Sequence, residues 1–165
     1  IPHWIIMCYN RQNEANDRTD LVIISNMHHL GDNNMTHERE PQGELSIKTL
    51  AMPADTNPAG NIFGGWVVSQ MDIAGLNIAR RYTPHNVLTV AINPIRFFKP
   101  IFVGDFVCCY ARPIKTGTTS ITVGIETWAL APHAQKRRLV TEGVFVYVAV
   151  DEEYQPIPVI HNESE

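Results

Sequence analysis

The sequence predicts an α+β fold in which one long helix packs against an antiparallel sheet. Three observations lead to this prediction. Apolar residues recur at helical spacing in one long stretch, residues 57–81, whereas the segments after it alternate or run apolar over strand lengths. Those strands are joined mainly by short turns, which favours antiparallel neighbours. Because one helix does not cover both faces of such a sheet, we expect oligomerisation through a strand edge or the outer face.

Turn residues and prolines bound the predicted strands. The first strand ends at Pro53, where a long turn of residues 53–63 leads into the helix. Pro94 and Pro100 limit ladder pairing in the next β-rich segment. The last strand carries an unbroken apolar run, VFVYVAV, which predicts burial on both of its faces. In chain order, the predicted strands are residues 45–52, 87–98, 105–115, 120–130 and 139–150.

The central helix opens with Gly64 and Gly65 and contains one unexplained acid. The first N–H groups of a helix lack partners within it, and glycines there let a ligand approach them closely. Asp72 lies about two turns further on, and the residues three and four positions from it are uncharged. Two interpretations stay open: a solvated acid on the exposed face, or a carboxylate in an apolar cleft with a chemical task. The residues expected to bury one side of the helix are Trp66, Val67, Met71, Ala74 and Ile78.

Length and composition restrict the classes of function. The 165 residues suit one domain, and 44% hydrophobic with 18% charged residues is typical of a soluble globular protein. The formal net charge of −4 argues against a nucleic acid partner, and the longest apolar run is far too short to span a membrane. Three cysteines do not make a disulfide framework. Cys108 and Cys109 should point to opposite faces of a strand, as reduced thiols in the cytoplasm.

Residues 1–44 differ from the remainder of the chain. Polar and charged residues dominate them, their short apolar patches have no sustained period, and no signal peptide pattern is present. We hypothesise that the native chain begins near Met35 and that the preceding residues are an appended or upstream-translated segment. Residues 45–151 then form the domain, and the acidic, proline-bearing residues 152–165 form a flexible tail.

Several common chemistries have no motif in this chain. It contains no GxGxxG after a strand, no GxxxxGK[ST] and no GxSxG, and its His, Cys and Asp residues show no metal-ligand spacing. What remains is Asn61, the Gly64–Gly65 amides and Asp72. These supply N–H donors for an oxyanion, an amide that orients a carbonyl or a water, and a carboxylate base or nucleophile, as acyl transfer requires. The basic residues that are candidates for phosphate contact are Arg80, Arg81, Arg96, Lys99, Lys115, Lys136, Arg137 and Arg138.

Three blocks of sequence resemble the hotdog-fold acyl-CoA thioesterases, in particular the bacterial YciA type. The blocks read LAMPADTNPAGNIFGGWVVSQMDIAG, NPIRFFKPIFVGDFVCCYARPIKTGTTSI and VTEGVFVYVAVD, and the match extends from about residue 45 to residue 151. The resemblance implies an antiparallel sheet of five or six strands wrapped round one long helix. It also implies homodimers with a continuous sheet, commonly assembled into hexamers as trimers of dimers.

The same resemblance assigns roles to the candidate residues. Asp72 matches the catalytic carboxylate, Gly64 and Gly65 match the turn whose amides hold the thioester oxygen, and Asn61 stands in the turn before them. In the family the turn and the carboxylate of one site come from different protomers, which makes each active site composite. Thr118 stands where the CoA-contacting loop usually carries a cation, so Lys115 or residues 136–138 are candidate replacements. The residues expected to contact substrate or CoA are Phe63, Trp66, Lys99, Lys115, Thr116, Gly117, Thr118 and Ser120.

These features together indicate hydrolysis of acyl-CoA thioesters to free CoA and a carboxylic acid, on short to medium chains with broad tolerance. Asp72 would activate water or attack the carbonyl directly, and the sequence does not choose between these routes. CoA is part of the substrate and product, so we expect no cofactor and no metal. Two alternatives fit less well. A hotdog dehydratase needs a histidine that residues 53–72 lack, and a non-catalytic acyl-CoA sensor has no need of Asp72 and usually carries an output domain.

Overall fold

The computed structural model of this protein describes residues 39–159. The described residues form one long helix, α1 (Gly64–Ala79), with short 3₁₀ segments at Pro53–Asp55 and Arg80–Tyr82. In chain order the strands are β1 (Glu44–Leu50), β2 (Asn86–Ile92), β3 (Arg96–Phe97), β4 (Phe106–Thr116), β5 (Ser120–Leu130) and β6 (Arg138–Val150). Most of the atypical segment 1–44, including the hypothesised start near Met35, lies outside the described residues, and so do residues 160–165 of the predicted tail.

All of these strands pair antiparallel in a single sheet. Its order is β1–β4–β5–β6–β2, and β3 pairs with the first half of β6. The helix packs against strands on both sides of the sheet's centre, including the outer strands β1 and β2, so the sheet wraps round it. The predicted α+β arrangement of one helix inside an antiparallel sheet is therefore confirmed.

The core lies between one side of α1 and the inner face of the sheet. Trp66 was expected among the buried helical residues but is only half-buried against this core. The other helical predictions are confirmed, since the buried residues include Val67, Met71, Ala74 and Ile78. Burial alternates along β5 as far as Ile125, with Ile121, Val123 and Ile125 fully buried on the inner face, and from there to Ala129 every residue is buried.

The neighbouring cysteines of β4 point to opposite faces of the sheet, as predicted. Cys109 lies in the core under the helix, whereas Cys108 packs on the outer face with Tyr110 and Trp128. Both are free thiols. The outer face therefore has a small apolar cluster of its own, and the sheet is not simply solvated on that side.

Strand β6 corrects the prediction of burial on both faces. Phe145, Tyr147 and Ala149 are fully buried on the inner face. Of the valines that alternate with them on the outer face, Val144, Val146 and Val148 are only half-buried, whereas Val150 is buried. The apolar run in β6 thus serves the core with one set of side chains and leaves most of the other set available at the sheet surface.

Two further segments differ from the sequence-based expectation. Residues 87–98 form two strands, because the ladder breaks around Pro94, which has no N–H to donate. Residues 152–159, part of the segment expected to be flexible, return to the sheet. There the Ile157 amide donates to the Ala149 carbonyl at 2.9 Å, and Val159 is buried.

Within residues 39–159, no group of His, Cys, Asp or Glu side chains is arranged to hold a metal ion. No helix in this part of the chain combines the length and the apolar character that crossing a membrane requires.

Candidate active site

The turn before the helix is shaped by its own polar groups. The Asn57 side-chain oxygen accepts the Ala59 amide at 2.9 Å and the Asn61 amide at 3.2 Å. The Asn57 amide donates to the Asn61 carbonyl at 2.7 Å, and the Phe63 amide donates to the Asp55 carbonyl at 2.8 Å. These bonds fix the direction in which the chain enters the helix.

A second loop supports this turn from outside. The Ile62 amide donates to the Ile101 carbonyl at 2.9 Å. The loop that contains Ile101 is held by Arg138, whose guanidinium donates to the Asp105 carboxylate and to the Pro100 carbonyl at 3.2 Å. Asp105 is only 2% exposed. The ion pair between Arg138 and the buried Asp105 therefore holds the loop around Ile101, and this loop in turn supports the turn before the helix.

The helix start presents the predicted glycine pair at an accessible surface. A Cβ atom on Gly65 would have the Phe63 ring as its nearest neighbour, at 3.5 Å, and one on Gly64 would have the Phe97 ring, also at 3.5 Å. Phe63 itself is 56% exposed. The first backbone N–H groups of the helix lack intrahelical partners and lie at the positive end of its dipole, so a developing negative charge is stabilised there.

The Asp72 side chain, on the helix, is held by hydroxyl groups from two strands. Thr89 of β2 donates to the carboxylate oxygen Oδ1 at 2.7 Å. The hydroxyl of Tyr147, from β6, lies 3.2 Å from the same oxygen and 3.0 Å from the Asp72 backbone carbonyl. Among the described residues, the other oxygen, Oδ2, has no hydrogen-bond partner. Asp72 is half-buried and anchored by these two hydroxyl groups, so it is not a freely solvated acid on the exposed face of the helix.

Tyr147 is the donor in this pair because its proton is firmly bound. Burial is the main cause that raises the pKa of Tyr147 well above its ordinary value, and the neighbouring Asp72 carboxylate raises it further. A neutral phenol beside a carboxylate donates its hydrogen bond to it. Sequence reasoning missed both Thr89 and Tyr147.

One protomer does not bring the glycine pair and Asp72 together. Asp72 follows Gly65 by seven residues, which places the two on the same side of the helix but about 10 Å apart along its axis. A single thioester carbonyl cannot contact both groups at hydrogen-bond distance. Within one chain, the two halves of the predicted site are therefore separate.

The predicted CoA-contacting residues are also separated. Lys99 lies two residues before Ile101, in the loop that supports the glycine turn. The segment Lys115–Ser120 lies at the opposite end of β4, about 33 Å away along the strand. Arg138, considered as a phosphate contact, is bonded to Asp105 instead, and Arg137 lies over the Tyr110 ring at 5.6 Å.

The chain is similar to known proteins over nearly all of the described region. Residues 59–134 match the model of the thioesterase superfamily. The acyl-CoA thioester hydrolase YciA of Salmonella typhimurium is 50% identical over 127 residues, which cover 74% of this chain and 95% of that protein.

The chain belongs to the YciA family of thioesterases.

Solved structures of this family share the fold. A hexameric thioesterase from Yersinia pestis superimposes with a TM-score of 0.71 at 50% identity, covering 74% of this chain and all of that one. A hexameric broad-specificity acyl-coenzyme A thioesterase gives a TM-score of 0.72 at 40% identity, covering 78% and 88%. The hotdog fold expected from the sequence is thus confirmed.

Within the YciA-family fold described here, the predicted residues fall into three groups. Asn61, Phe63, Gly64, Gly65, Trp66 and Lys99 lie at or near the helix start. Asp72 lies mid-helix, where Thr89 and Tyr147 hold it. The third group, Lys115, Thr116, Gly117, Thr118 and Ser120, forms the hairpin at the far end of β4 and β5. No sequence signal pairs Asp72 with Thr89, but a tyrosine at an inward position of an apolar strand calls for a hydrogen-bond partner.

Proposed function

We propose that this protein hydrolyses acyl-CoA thioesters to free CoA and a carboxylic acid, with Asp72 as its catalytic carboxylate. The observation that carries the proposal is the fixing of Asp72: one oxygen accepts two hydroxyl donors, while the other has no hydrogen-bond partner among the described residues. Because no buried side-chain oxygen of the described residues lacks a partner, Oδ2 is accessible, and a water or a substrate can reach it. Membership of a family whose relatives are named acyl-CoA thioester hydrolases supports the reaction class.

Hydrolysis requires two catalytic functions at the thioester carbonyl: stabilisation of the oxyanion and activation or supply of a nucleophile. The amides at the start of the helix stabilise the oxyanion that forms when the thioester carbon is attacked. Asp72 takes a proton from the attacking water, the C–S bond breaks, and the leaving CoA thiolate takes up that proton, which restores the carboxylate. In the alternative route the carboxylate attacks the same carbon and the C–S bond breaks, which releases the CoA thiolate; water then hydrolyses the resulting anhydride to the free acid and restores Asp72. Both routes use the same free carboxylate oxygen.

The active site is proposed to form between two protomers that pair through β2. This strand lies at one edge of the sheet, and its sequence, NVLTVAI, is uncharged. Leu88, Val90 and Ile92 are 40%, 56% and 45% exposed, which is unusual for three apolar residues of one short strand. Thr89, which holds Asp72, belongs to the same strand, so pairing there brings the partner's groups to the carboxylate. We propose a trimer of such dimers, in line with the hexameric neighbours.

The substrate is proposed to be a short- to medium-chain acyl-CoA, with broad tolerance. Phe63, just before the glycine pair, and Trp66, just after it, are bulky apolar residues that are at least partly exposed, whereas Met71 is buried in the core. The broad-specificity relative is consistent with a loosely selective acyl pocket. Phosphate contacts are proposed for Lys99 and for the hairpin Lys115–Ser120, where Thr118 is exposed. The free thiols of β4 suit a cytoplasmic enzyme.

The test is thiol release from a panel of acyl-CoAs, from acetyl to palmitoyl, by wild type and by Asp72→Asn. We expect release by wild type and a loss of at least about 100-fold in Asp72→Asn with CoA binding retained. Glu152→Gln, an exposed acid in the tail, is the control and should keep full activity. Binding of acyl-CoA without release from any thioester would favour the sensor. Full activity in Asp72→Asn would remove Asp72 from the mechanism.

Mixed oligomers test the composite site. Asp72→Asn removes the carboxylate, and Gly65→Leu blocks the approach to the amides, with only the Phe63 ring near the new Cβ atom. If the two groups act across an interface, random mixing of these inactive variants restores about a quarter of the wild-type sites. Mixtures as inactive as either variant alone would show that both groups act within one chain.

A further inference from the structure

A buried glycine in the middle of α1 faces the hydroxyl of a tyrosine from β6. A Cβ atom on Gly75 would lie 2.1 Å from the Tyr147 hydroxyl oxygen and 2.8 Å from both the ring carbon that carries it and Cδ1 of Ile125. Such distances do not occur between real atoms. Glycine is unfavourable inside a helix by about 1 kcal/mol relative to alanine. Its presence here is explained by the tyrosine, whose hydroxyl fills the space of the missing side chain.

The tyrosine is rigidly placed. Tyr147 is fully buried, its ring stacks on Phe145 with centroids 6.4 Å apart and 14° between the planes, and β6 lies between β5 and β2 in the sheet. From this position its hydroxyl reaches both the backbone carbonyl and the Oδ1 atom of Asp72. One donor thus contacts the main chain and the side chain of the same residue, which fixes the carboxylate relative to the helix.

The two donors to Asp72 differ in what supports them. Thr89 lies on the exposed edge strand, where the position of its side chain depends on what pairs with β2. Tyr147 comes from the interior of the sheet and keeps its place in any state of the edge. Both donors contact Oδ1, so Oδ2 is the oxygen left to act on water or on the thioester carbon.

We propose that Tyr147 is a positioning residue for the catalytic carboxylate, and that Gly75 is glycine because any side chain there would displace the hydroxyl. The inference rests on the proposed role of Asp72. Tyr147 touches no reacting atom; it holds Oδ1 so that Oδ2 meets the substrate in one orientation. A misplacement of about 1 Å in such a group costs on the order of 100-fold in rate.

The first test is Tyr147→Phe, which keeps the ring and removes only the hydroxyl. We expect kcat for a good acyl-CoA to fall about 10- to 100-fold, while KM changes less than about threefold. Tyr82→Phe is the matched control, because Tyr82 is half-buried against the same core and makes no described contact with Asp72. The control should keep the wild-type kcat. Unchanged kcat in Tyr147→Phe would overturn the proposal.

The second test couples the two positions. Gly75→Ala should lower kcat about as much as Tyr147→Phe, and the double variant should be no slower than the slower single variant, because both act through one hydroxyl. Multiplied losses would overturn the assigned role of Gly75. All rates are taken at a temperature where each variant is folded by circular dichroism, so that lost stability is not read as lost turnover.

Asp72→Asn, measured beside these variants, tests the proposed function separately from the positioning role of Tyr147. An inactive Asp72→Asn with a fully active Tyr147→Phe would refute the positioning role and leave the proposed function intact. A fully active Asp72→Asn would refute the proposed site, and the positioning role with it.

Discussion

Replacing Arg138 by methionine should destabilise this protein far more than its partly exposed position suggests. The Arg138 side chain is 24% exposed, but the Asp105 carboxylate that it contacts is 2% exposed. Asp105 also accepts the Phe102 amide at 2.9 Å, so the carboxylate cannot turn away to water without breaking the loop. Arg138→Met leaves this buried charge unpaired, which costs about 3–5 kcal/mol of unfolding free energy.

Removing the charge of the other partner, Asp105, should cost less unfolding free energy. Asp105→Asn is neutral, keeps an oxygen for the Phe102 amide, and leaves Arg138 close enough to the surface to be solvated. We expect a loss of about 1.5–3 kcal/mol. In the double variant no buried charge remains, so its loss should be smaller than the sum of the single losses by on the order of 1–3 kcal/mol.

Urea unfolding at one fixed protein concentration measures these differences, because the stability of an oligomer depends on concentration. The control is the surface pair Arg81–Glu44, whose side chains are 60% and 47% exposed and in which Arg81 Nη1 donates to Glu44 Oε2 at 2.8 Å. Arg81→Met should cost less than about 1 kcal/mol. If Arg138→Met costs no more than Arg81→Met, Asp105 does not depend on its partner and the reasoning fails.

Three further predictions concern the core, the carboxylate and the edge strand. Burial raises the pKa of Cys109 from 9.0 to about 11. The thiol therefore ionises at lower pH in the unfolded chain, and the free energy of unfolding should fall by about 2–3 kcal/mol between pH 9 and 11. Measured by urea unfolding, Cys109→Ala should lose less stability than wild type over this pH range. An equal loss in both proteins would contradict the prediction. Thr89→Val should lower kcat for thiol release about 10- to 100-fold and Thr89→Ser should restore most of it; an active Thr89→Val would exclude the hydroxyl. Val90→Lys should abolish pairing through β2, giving smaller, inactive particles by light scattering; an oligomer of wild-type mass would refute the proposed edge.

Local features of the sequence were sufficient for the elements that they specify directly. The alternation in β5 predicted both its bounds and its buried face, and the glycine pair predicted where the helix begins. Apolar period and turn residues act within a few positions of the chain, so they can be read without the fold. The exception was β6, where a continuous apolar run did not reveal which face would be fully buried.

The contacts around the candidate site could not be predicted from local sequence features. Thr89 and Tyr147 lie 17 and 75 residues after Asp72, and their contacts depend on the order and register of the strands. Arg138 looked equivalent to the two basic residues before it, because only the fold brings it to Asp105. Gly75 looked like an ordinary helical glycine until the tyrosine opposite it was known.

The two outer strands of the sheet differ in charge, and this difference has a consequence for how copies of the protein assemble. An antiparallel sheet with two open apolar edges can add copies at both ends and grow into a filament. Here β2 is uncharged, whereas β1 carries Glu44 and Lys48, and Glu44 is further engaged by Arg81. Two copies that meet through β2 place a charged strand at each end of the joined sheet. In the proposed dimer, growth of the sheet would therefore stop at two copies, and β2 could serve as an interface without leading to filaments.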